Sequence, residues 1–245
     1  MSLPLVVEFI GPPGAGKTAV AHEVIEHLEG EGYRCFGHSK ARAPESIDKK
    51  SGGIGSKLTT LVRFAVLCLS HRRLTVAALR YTQAVRPRDV SGLRRLFILL
   101  SRFGFVRDVM AEGYDFVILD QGPLQNIWSI GTTGDVRPAD RELLRVVRSV
   151  VEDLAPIVVL VEVDADLASE RIATRPTMRS RFDRMSRSEA SESLAQHEEL
   201  FRRLFELAGR VGSPEGVRID GSRPIARNAD RLLPLISRAR QTHAR

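Results

Sequence analysis

The sequence has few of the residues that cross-link or anchor a protein. It contains two cysteines, Cys35 and Cys68, both among apolar neighbours, so a disulfide framework is excluded as the basis of the fold. The six histidines show no ligand-like spacing with these cysteines, and we expect no structural metal. The longest apolar run, residues 64–69, is far shorter than the roughly 18 residues of a membrane span, so no membrane association is expected.

The overall composition predicts a single globular domain over residues 1–245. With 43% hydrophobic and 27% charged residues, the chain can bury one substantial core. Lys plus Arg exceed Asp plus Glu by 37 to 30, which favours anionic partners such as nucleotides, sugar phosphates or nucleic acid; a solvated basic surface explains the excess equally well. The first eleven residues lack the basic region of a signal peptide and predict a strand, so we expect a cytoplasmic protein.

Predicted strands and helices alternate along the chain. Residues 5–10 form a short apolar run that ends at a glycine, which is typical of a buried parallel strand. This alternation indicates a parallel sheet covered by helices on both faces, with ligands beyond the carboxyl ends of its strands. The other strands are predicted at 34–38, 116–119, 157–163 and 216–220, and the helices at 18–29, about 57–84, about 90–111, 138–153, 167–174, about 188–207 and from about 225.

A glycine loop follows the first strand. Residues 11–18, GPPGAGKT, satisfy the pattern G-x-x-x-x-G-K-[ST], in which backbone N–H groups and a helix N-terminus hold phosphate oxygens. Lys17 is expected to reach the β- and γ-phosphates, and Thr18 to place its hydroxyl on Mg²⁺. A chance match in a glycine-rich turn is the alternative, but the flanking strand and helix favour a nucleoside triphosphate site. The predicted nucleotide-binding residues are Gly11, Pro12, Pro13, Gly14, Ala15, Gly16, Lys17 and Thr18.

An aspartate ends the strand predicted at residues 116–119. If that strand lies beside the first one, Asp120 points into the crevice near the γ-phosphate. A carboxylate at that place can hold Mg²⁺ or accept a proton from an attacking hydroxyl. The alternative is a turn-forming aspartate bonded to the N–H of Gly122 or beyond.

Six arginines are concentrated between residues 171 and 187. Pro176 makes a helix through Arg175 difficult, so a lid loop rich in guanidinium groups is predicted at about residues 175–188. Such a lid can neutralise a transferring phosphoryl group after substrate binds. The alternative is a solvated basic loop or a nucleic-acid patch. The arginines are Arg171, Arg175, Arg179, Arg181, Arg184 and Arg187.

These motifs together resemble a known family. GPPGAGKT, VILDQG, VVLVEVDADLASERIATRP, FDRMS and VRIDGSRP follow the order seen in P-loop nucleoside and nucleotide kinases, and the chain looks most like the thymidylate kinase branch over residues 6–37 and 114–236. The resemblance implies a P-loop NTPase fold: an α/β fold of three layers, α/β/α, with a five-stranded parallel sheet and a helical insertion at about residues 39–111 on the acceptor side. It also implies an ATP- and Mg²⁺-dependent kinase with a nucleoside- or nucleotide-like acceptor.

The resemblance assigns roles to single residues. It implies that Lys17 contacts the triphosphate, that Thr18 contacts Mg²⁺, and that Asp120 serves the metal or the acceptor. Arg171 and Arg175 match the catalytic arginines of the helix and the lid. Arg179 and Arg184 are the further nucleotide-binding candidates of the lid, where Arg184 pairs with Asp183 in the family's Asp-Arg motif.

The chain also departs from the family's pattern. Where such kinases have an arginine after the strand-ending aspartate, it has Gln121, so one contact to an acceptor's phosphate is missing. Ser186 stands where an acid often follows the lid pair. The family's R-E-P after the second strand is echoed only by Arg42 to Pro44, with Ala43 in place of the acid.

Other uses of a phosphate loop are weighed against the kinase. The chain lacks the D-x-x-G and N-K-x-D motifs of GTPases and the adjacent acids of motor ATPases. An ATP-binding sensor, or a nucleic-acid-associated ATPase or polynucleotide kinase, remains the alternative. Nucleic acid is disfavoured, because Tyr81 is the one stacking aromatic beside the arginines of residues 70–89, whose helices are better explained as amphipathic with Leu74, Ala77 and Ala78 inside. The acceptor, ATP or GTP preference and a homodimer stay open. Those arginines are Arg72, Arg73, Arg80, Arg86 and Arg88.

Overall fold

The computed structural model describes residues 3–37, 62, 64–87, 91–175, 181–214 and 216–243. Within them, five parallel strands form one sheet in the order β2-β3-β1-β4-β5, which confirms the predicted five-stranded parallel sheet. The strands are β1 Leu5–Ile10, β2 Cys35–Gly37, β3 Phe116–Leu119, β4 Ile157–Glu162 and β5 Val217–Asp220.

Eight helices of nine or more residues surround this sheet in the described part of the chain. Residues 64–70 are also helical, and 3₁₀ turns occupy Arg137–Ala139 and Arg181–Arg184. The helices are α1 Lys17–Gly30, α2 Arg72–Val85, α3 Ser91–Met110, α4 Pro123–Gly131, α5 Asp140–Leu154, α6 Ala165–Ala173, α7 Arg187–Arg210 and α8 Ile225–His243.

The helices cover both faces of the sheet, as the strand composition requires. Because side chains alternate along a strand, Val7 and Phe9 of β1 join the core under α1 and α8. Val6 and Ile10 join the larger core with α2, α3, α4, α5 and α7. All six residues of β1 are buried, which is expected of the central strand of a parallel sheet. The result is the predicted three-layer architecture.

Helix α4 is the element that the sequence analysis missed. The sequence analysis predicts no helix between residues 119 and 138, but Pro123 begins one: a proline fits the first turn of a helix, where its missing N–H would have no partner. Leu124, Ile127 and Trp128 then recur at helical spacing, and all three are buried. The helix therefore begins directly after the Asp120 turn and connects that turn to the core.

Helix α2 confirms the amphipathic interpretation of the basic segment. Leu74, Ala78 and Tyr81 are buried on its inner side, whereas Arg72 and Arg80 are exposed. The predicted insertion at residues 39–111 is described only in part, since residues 38–61, 63 and 88–90 lie outside the described residues. Among the described helices, none is long and apolar enough to cross a membrane.

Candidate nucleotide-binding site

The glycine loop lies between β1 and α1 and depends on three glycines. Gly14 and Gly16 have φ values of 88° and 89°, in the left-handed region that favours glycine. A Cβ on Gly11 would lie 2.4 Å from the Val161 carbonyl oxygen, and one on Gly14 would lie 2.4 Å from that of Ala168. Strand β4 and helix α6 therefore pack directly against the loop, and a side chain at Gly11 or Gly14 would push them apart.

Lys17 lies over this loop at the start of α1. Its Nζ donates hydrogen bonds to the carbonyl oxygens of Gly11 at 2.7 Å and Pro12 at 2.8 Å. Burial lowers the pKa of Lys17 to about 7, Asp120 opposes this shift, and the positive charge of Arg175 adds to it. The ammonium group is thus destabilised until an anionic ligand arrives.

Thr18 and Asp120 meet at the end of the loop. The Thr18 hydroxyl donates a hydrogen bond of 2.6 Å to Asp120 Oδ2. Their contact follows from the sheet, because β1 and β3 are parallel neighbours, with Glu8 opposite Leu119. A hydroxyl and a carboxylate are hard oxygen ligands, and Mg²⁺ is usually held by one or two such protein groups together with phosphates and water. The two side chains therefore suit Mg²⁺.

The predicted arginines occupy different places. Arg171 donates from Nη1 to the carbonyl oxygens of Gly221 at 2.8 Å and Gly14 at 3.4 Å, so its guanidinium supports the loop. Arg175 is exposed and close enough to Lys17 for its charge to lower the pKa of that lysine. Arg184 is exposed in the 3₁₀ turn, and Arg179 lies outside the described residues. Arg175 is the lid arginine that the structure brings to the loop.

Aromatic stacking fixes the far end of the lid. Trp128 of α4 stacks on Phe201 of α7 with a centroid separation of 4.5 Å, and on Phe182 of the 3₁₀ turn at 6.4 Å. The Trp128 indole N–H also donates to the carbonyl oxygen of His197 at 3.1 Å. Helix α4 therefore touches the lid at one end and adjoins the Asp120 turn at the other.

Three polar residues near the loop were missed by the sequence analysis. Glu8 is fully buried on β1, and its Oε1 accepts the Gln125 backbone N–H at 2.9 Å. Gln125 Oε1 accepts the Gly11 N–H at 3.1 Å, and Arg102 of α3 donates from Nη1 to the Gln121 carbonyl oxygen at 2.5 Å. A carboxylate inside the apolar run LVVEFI was the signal available, since such a residue needs a partner when it is buried.

Burial is the main reason why Glu8 is an unusually weak acid. It raises the pKa of Glu8 to about 8, although hydrogen bonds from the N–H groups of Gln125 and Leu124 and the charge of Arg102 oppose this shift. A Cβ on Gly122 would lie 2.4 Å from Glu8 Cδ, so only glycine allows the carboxyl group to lie beneath the start of α4.

Several proteins of known structure share the fold of this chain. No family model and no curated protein sequence matches it. The structure of deoxyadenosine kinase from M. mycoides with bound dATP matches with a TM-score of 0.52 and 14% identity, covering 95% of this chain and 100% of that one. An uncharacterized protein from Eubacterium ventriosum matches with a TM-score of 0.45 and 12% identity, covering 95% of this chain and 98% of that one. The chain has a P-loop NTPase-like α/β fold, which it shares with the deoxyadenosine kinase structure.

Proposed function

We propose that the protein is a kinase that transfers the γ-phosphate of ATP to a hydroxyl of a nucleoside-like acceptor. The observation that carries this proposal is the meeting of Lys17, Thr18 and Asp120 at the glycine loop. Phosphoryl transfer requires mainly positioning and neutralisation of charge, which these three side chains and the loop N–H groups can supply.

Each side chain has a distinct part in this reaction. Lys17 leaves the carbonyl oxygens of Gly11 and Pro12 and binds the phosphates, which favour its charged form. Thr18 and Asp120 would hold Mg²⁺, which neutralises phosphate charge when it is bound. Asp120 can also accept the proton of the attacking hydroxyl, if that hydroxyl lies within hydrogen-bonding distance.

The lid arginine completes the proposed charge neutralisation. Arg175 is solvent-exposed next to Lys17, so it can turn toward the phosphates when substrate binds. Arg171 is already committed to the carbonyl oxygens of Gly14 and Gly221. We therefore propose that Arg175 acts on the transferring group and that Arg171 acts by holding the loop.

A nucleoside is the acceptor that we favour over thymidylate. Gln121 is exposed directly after Asp120 and offers no positive charge to an acceptor's phosphate. Among proteins of similar fold, the deoxyadenosine kinase of M. mycoides is named for a nucleoside acceptor. Both points support an acceptor without a phosphate, because such an acceptor does not need the arginine that Gln121 replaces.

The experiment that tests this proposal compares acceptor classes. ADP release from Mg·ATP is measured with deoxynucleosides, ribonucleosides and the matching monophosphates, and Lys17→Ala serves as the blank. The proposal is supported if a nucleoside stimulates ADP release more than its monophosphate does. Stimulation by thymidylate alone would restore the thymidylate kinase assignment. Tight ATP binding without any stimulation would shift the assignment to an ATP-binding sensor or nucleic-acid-associated ATPase.

A further inference from the structure

Two buried polar residues connect the glycine loop to helix α4. Gln125 accepts the N–H of Gly11, the first residue of the loop, at 3.1 Å. The backbone N–H of Gln125 in turn donates to Glu8 Oε1 at 2.9 Å. Gln125 and Glu8 are both at most 9% exposed, so these bonds are shielded from water. The chain of bonds runs from β1 through α4 to the loop that follows β1.

Glu8 caps the N-terminus of α4. The N-cap residue, Gly122, has no side chain that could accept from the helix, and Pro123 has no N–H to donate. The N–H of Gln125 donates to Glu8 Oε1 at 2.9 Å, and the N–H of Leu124 lies close enough to the same carboxyl group to lower its pKa. A residue of the central strand therefore sets where α4 begins and how it is oriented.

Gln125 connects the start of α4 to the glycine loop. Gly11 is buried, so its N–H needs an acceptor, and within the described residues Gln125 Oε1 accepts it. At its other end, the loop is bonded to the same β3–α4 connection through Thr18 and Asp120. Both ends of the loop are thus held by the segment between Asp120 and Gln125.

We propose that Gln125 and Glu8 are positioning residues for the phosphate loop: Gln125 holds the Gly11 peptide, and Glu8 holds Gln125. The proposal rests on the proposed function, because it assumes that the loop binds a triphosphate. Both residues act through the Gly11 peptide. Their effect is to keep the loop N–H groups arranged for phosphate before it binds, which avoids a cost of ordering at that moment.

The first test removes the acceptor at Gln125. Gln125→Met keeps the length of the side chain but cannot accept the Gly11 N–H, and Gln196→Met makes the same change at an exposed position of α7. The dissociation constant of a fluorescent ADP analogue is expected to rise about tenfold in Gln125→Met, as for one lost buried hydrogen bond, and not in the control. In the ligand-free protein, amide exchange of Gly11 measured by NMR is expected to quicken by a similar factor.

The second test concerns Glu8 and its pH profile. Glu8→Leu is expected to weaken binding of the ADP analogue, and Glu8→Gln, which keeps one acceptor oxygen, is expected to rescue it. Since burial raises the pKa of Glu8 to about 8, raising the pH from 7 to 9 charges this group in the parent. The pH dependence of affinity over this range should therefore differ several-fold between the parent and Glu8→Gln, because only the parent gains a buried charge on the group that accepts the N–H of Gln125.

The groups around Glu8 make this comparison interpretable. Arg102 of α3 is the charged side chain whose field acts on Glu8, and α4 carries no ionisable residue. The residues opposite Glu8 on the neighbouring strands are Leu119 and Val158. Lys17 also titrates near neutrality, but its contribution is present in both proteins and cancels in the difference.

The outcomes separate this inference from the proposed function. Lys17→Ala is the reference for the loss of nucleotide affinity, because it removes a residue assigned to the phosphates. If Lys17→Ala loses affinity while Gln125→Met stays within twofold of the parent and Gly11 exchange is unchanged, the positioning role is wrong and the function stands. If Lys17→Ala binds like the parent, both are wrong. If Gln125→Met does not fold, equal pH profiles of Glu8→Gln and the parent overturn the inference.

Discussion

The Thr18 hydroxyl lies 2.6 Å from Asp120 Oδ2, although 102 positions separate the two residues in the chain. The contact exists because β1 and β3 are parallel neighbours whose carboxyl ends meet at one edge of the sheet. It places a hydroxyl and a carboxylate beside the one lysine of the loop. The proposed chemistry depends on the contact of these side chains at the end of the glycine loop.

Asp120→Asn is expected to lower acceptor-dependent turnover by about a hundredfold or more, because an amide neither holds Mg²⁺ as strongly nor accepts a proton. Affinity for ATP should change by only a few-fold, since the loop and Lys17 remain. Steady-state ADP release and equilibrium binding of an ATP analogue separate the two effects. Unchanged turnover would return Asp120 to the role of a turn-forming residue.

Arg175→Ala and Arg171→Ala are expected to differ. The exposed Arg175 is proposed to act on the transferring group, so its loss should reduce kcat by about tenfold to a thousandfold with little effect on nucleotide affinity. Arg171 supports the carbonyl oxygens of Gly14 and Gly221, so its loss should weaken nucleotide binding and lower the melting temperature. Equal effects of both changes on kcat and affinity would contradict this division.

Nucleotide binding at alkaline pH is expected to take up a proton. Burial lowers the pKa of Lys17 to about 7, so in the free protein the Lys17 amine is largely neutral at pH 8.5. The bound phosphates raise this pKa again, and uptake should approach one proton at pH 8.5 and become small at pH 6. Calorimetric titration with an ATP analogue in two buffers of different ionisation heat measures the uptake.

Lys17→Arg is the matched control for this measurement. An arginine keeps its charge throughout this range, so a variant that still binds should show no uptake through this residue at pH 8.5. Equal proton uptake by the parent and Lys17→Arg would show that another group titrates.

Much of the fold was predictable because its signals are local. The glycine loop needs left-handed backbone at Gly14 and Gly16, β3 is a continuous apolar run and β1 is apolar except for Glu8, so loop and strands could be predicted from sequence. The position of Asp120 at the sheet edge followed from the parallel order. These features depend on neighbours in the chain or on a general rule of α/β sheets.

The missed features depend on register across the sheet. Glu8 caps α4, and Gln125 binds Gly11, only because β1 and β3 pair with Glu8 opposite Leu119. No spacing in the sequence predicts that pairing. Helix α4 has local signals in Pro123 and its apolar spacing, but its N-cap residue, Gly122, has no side chain to accept a hydrogen bond, and Glu8, 115 positions before Pro123, accepts one in its place.

Tyr81→Phe is expected to leave the free energy of unfolding unchanged or to raise it by about 1 kcal/mol. The Tyr81 hydroxyl is fully buried, and no hydrogen-bond partner contacts it among the described residues. Thr82→Val, one position on, removes a buried hydroxyl that does donate to the Ala78 carbonyl oxygen at 2.8 Å, and should bring no gain. Urea unfolding compares the variants, and a large loss in Tyr81→Phe would contradict this account.

The central claim is that the glycine loop delivers the γ-phosphate of ATP to a nucleoside hydroxyl. The most direct measurement incubates ATP labelled in its γ-phosphate with a pool of nucleosides and Mg²⁺, and follows the label by chromatography. The account predicts label in a nucleoside monophosphate with the parent protein and none with Lys17→Ala. Label that remains in ATP or appears only as free phosphate with every nucleoside, although the parent binds ATP, would contradict it.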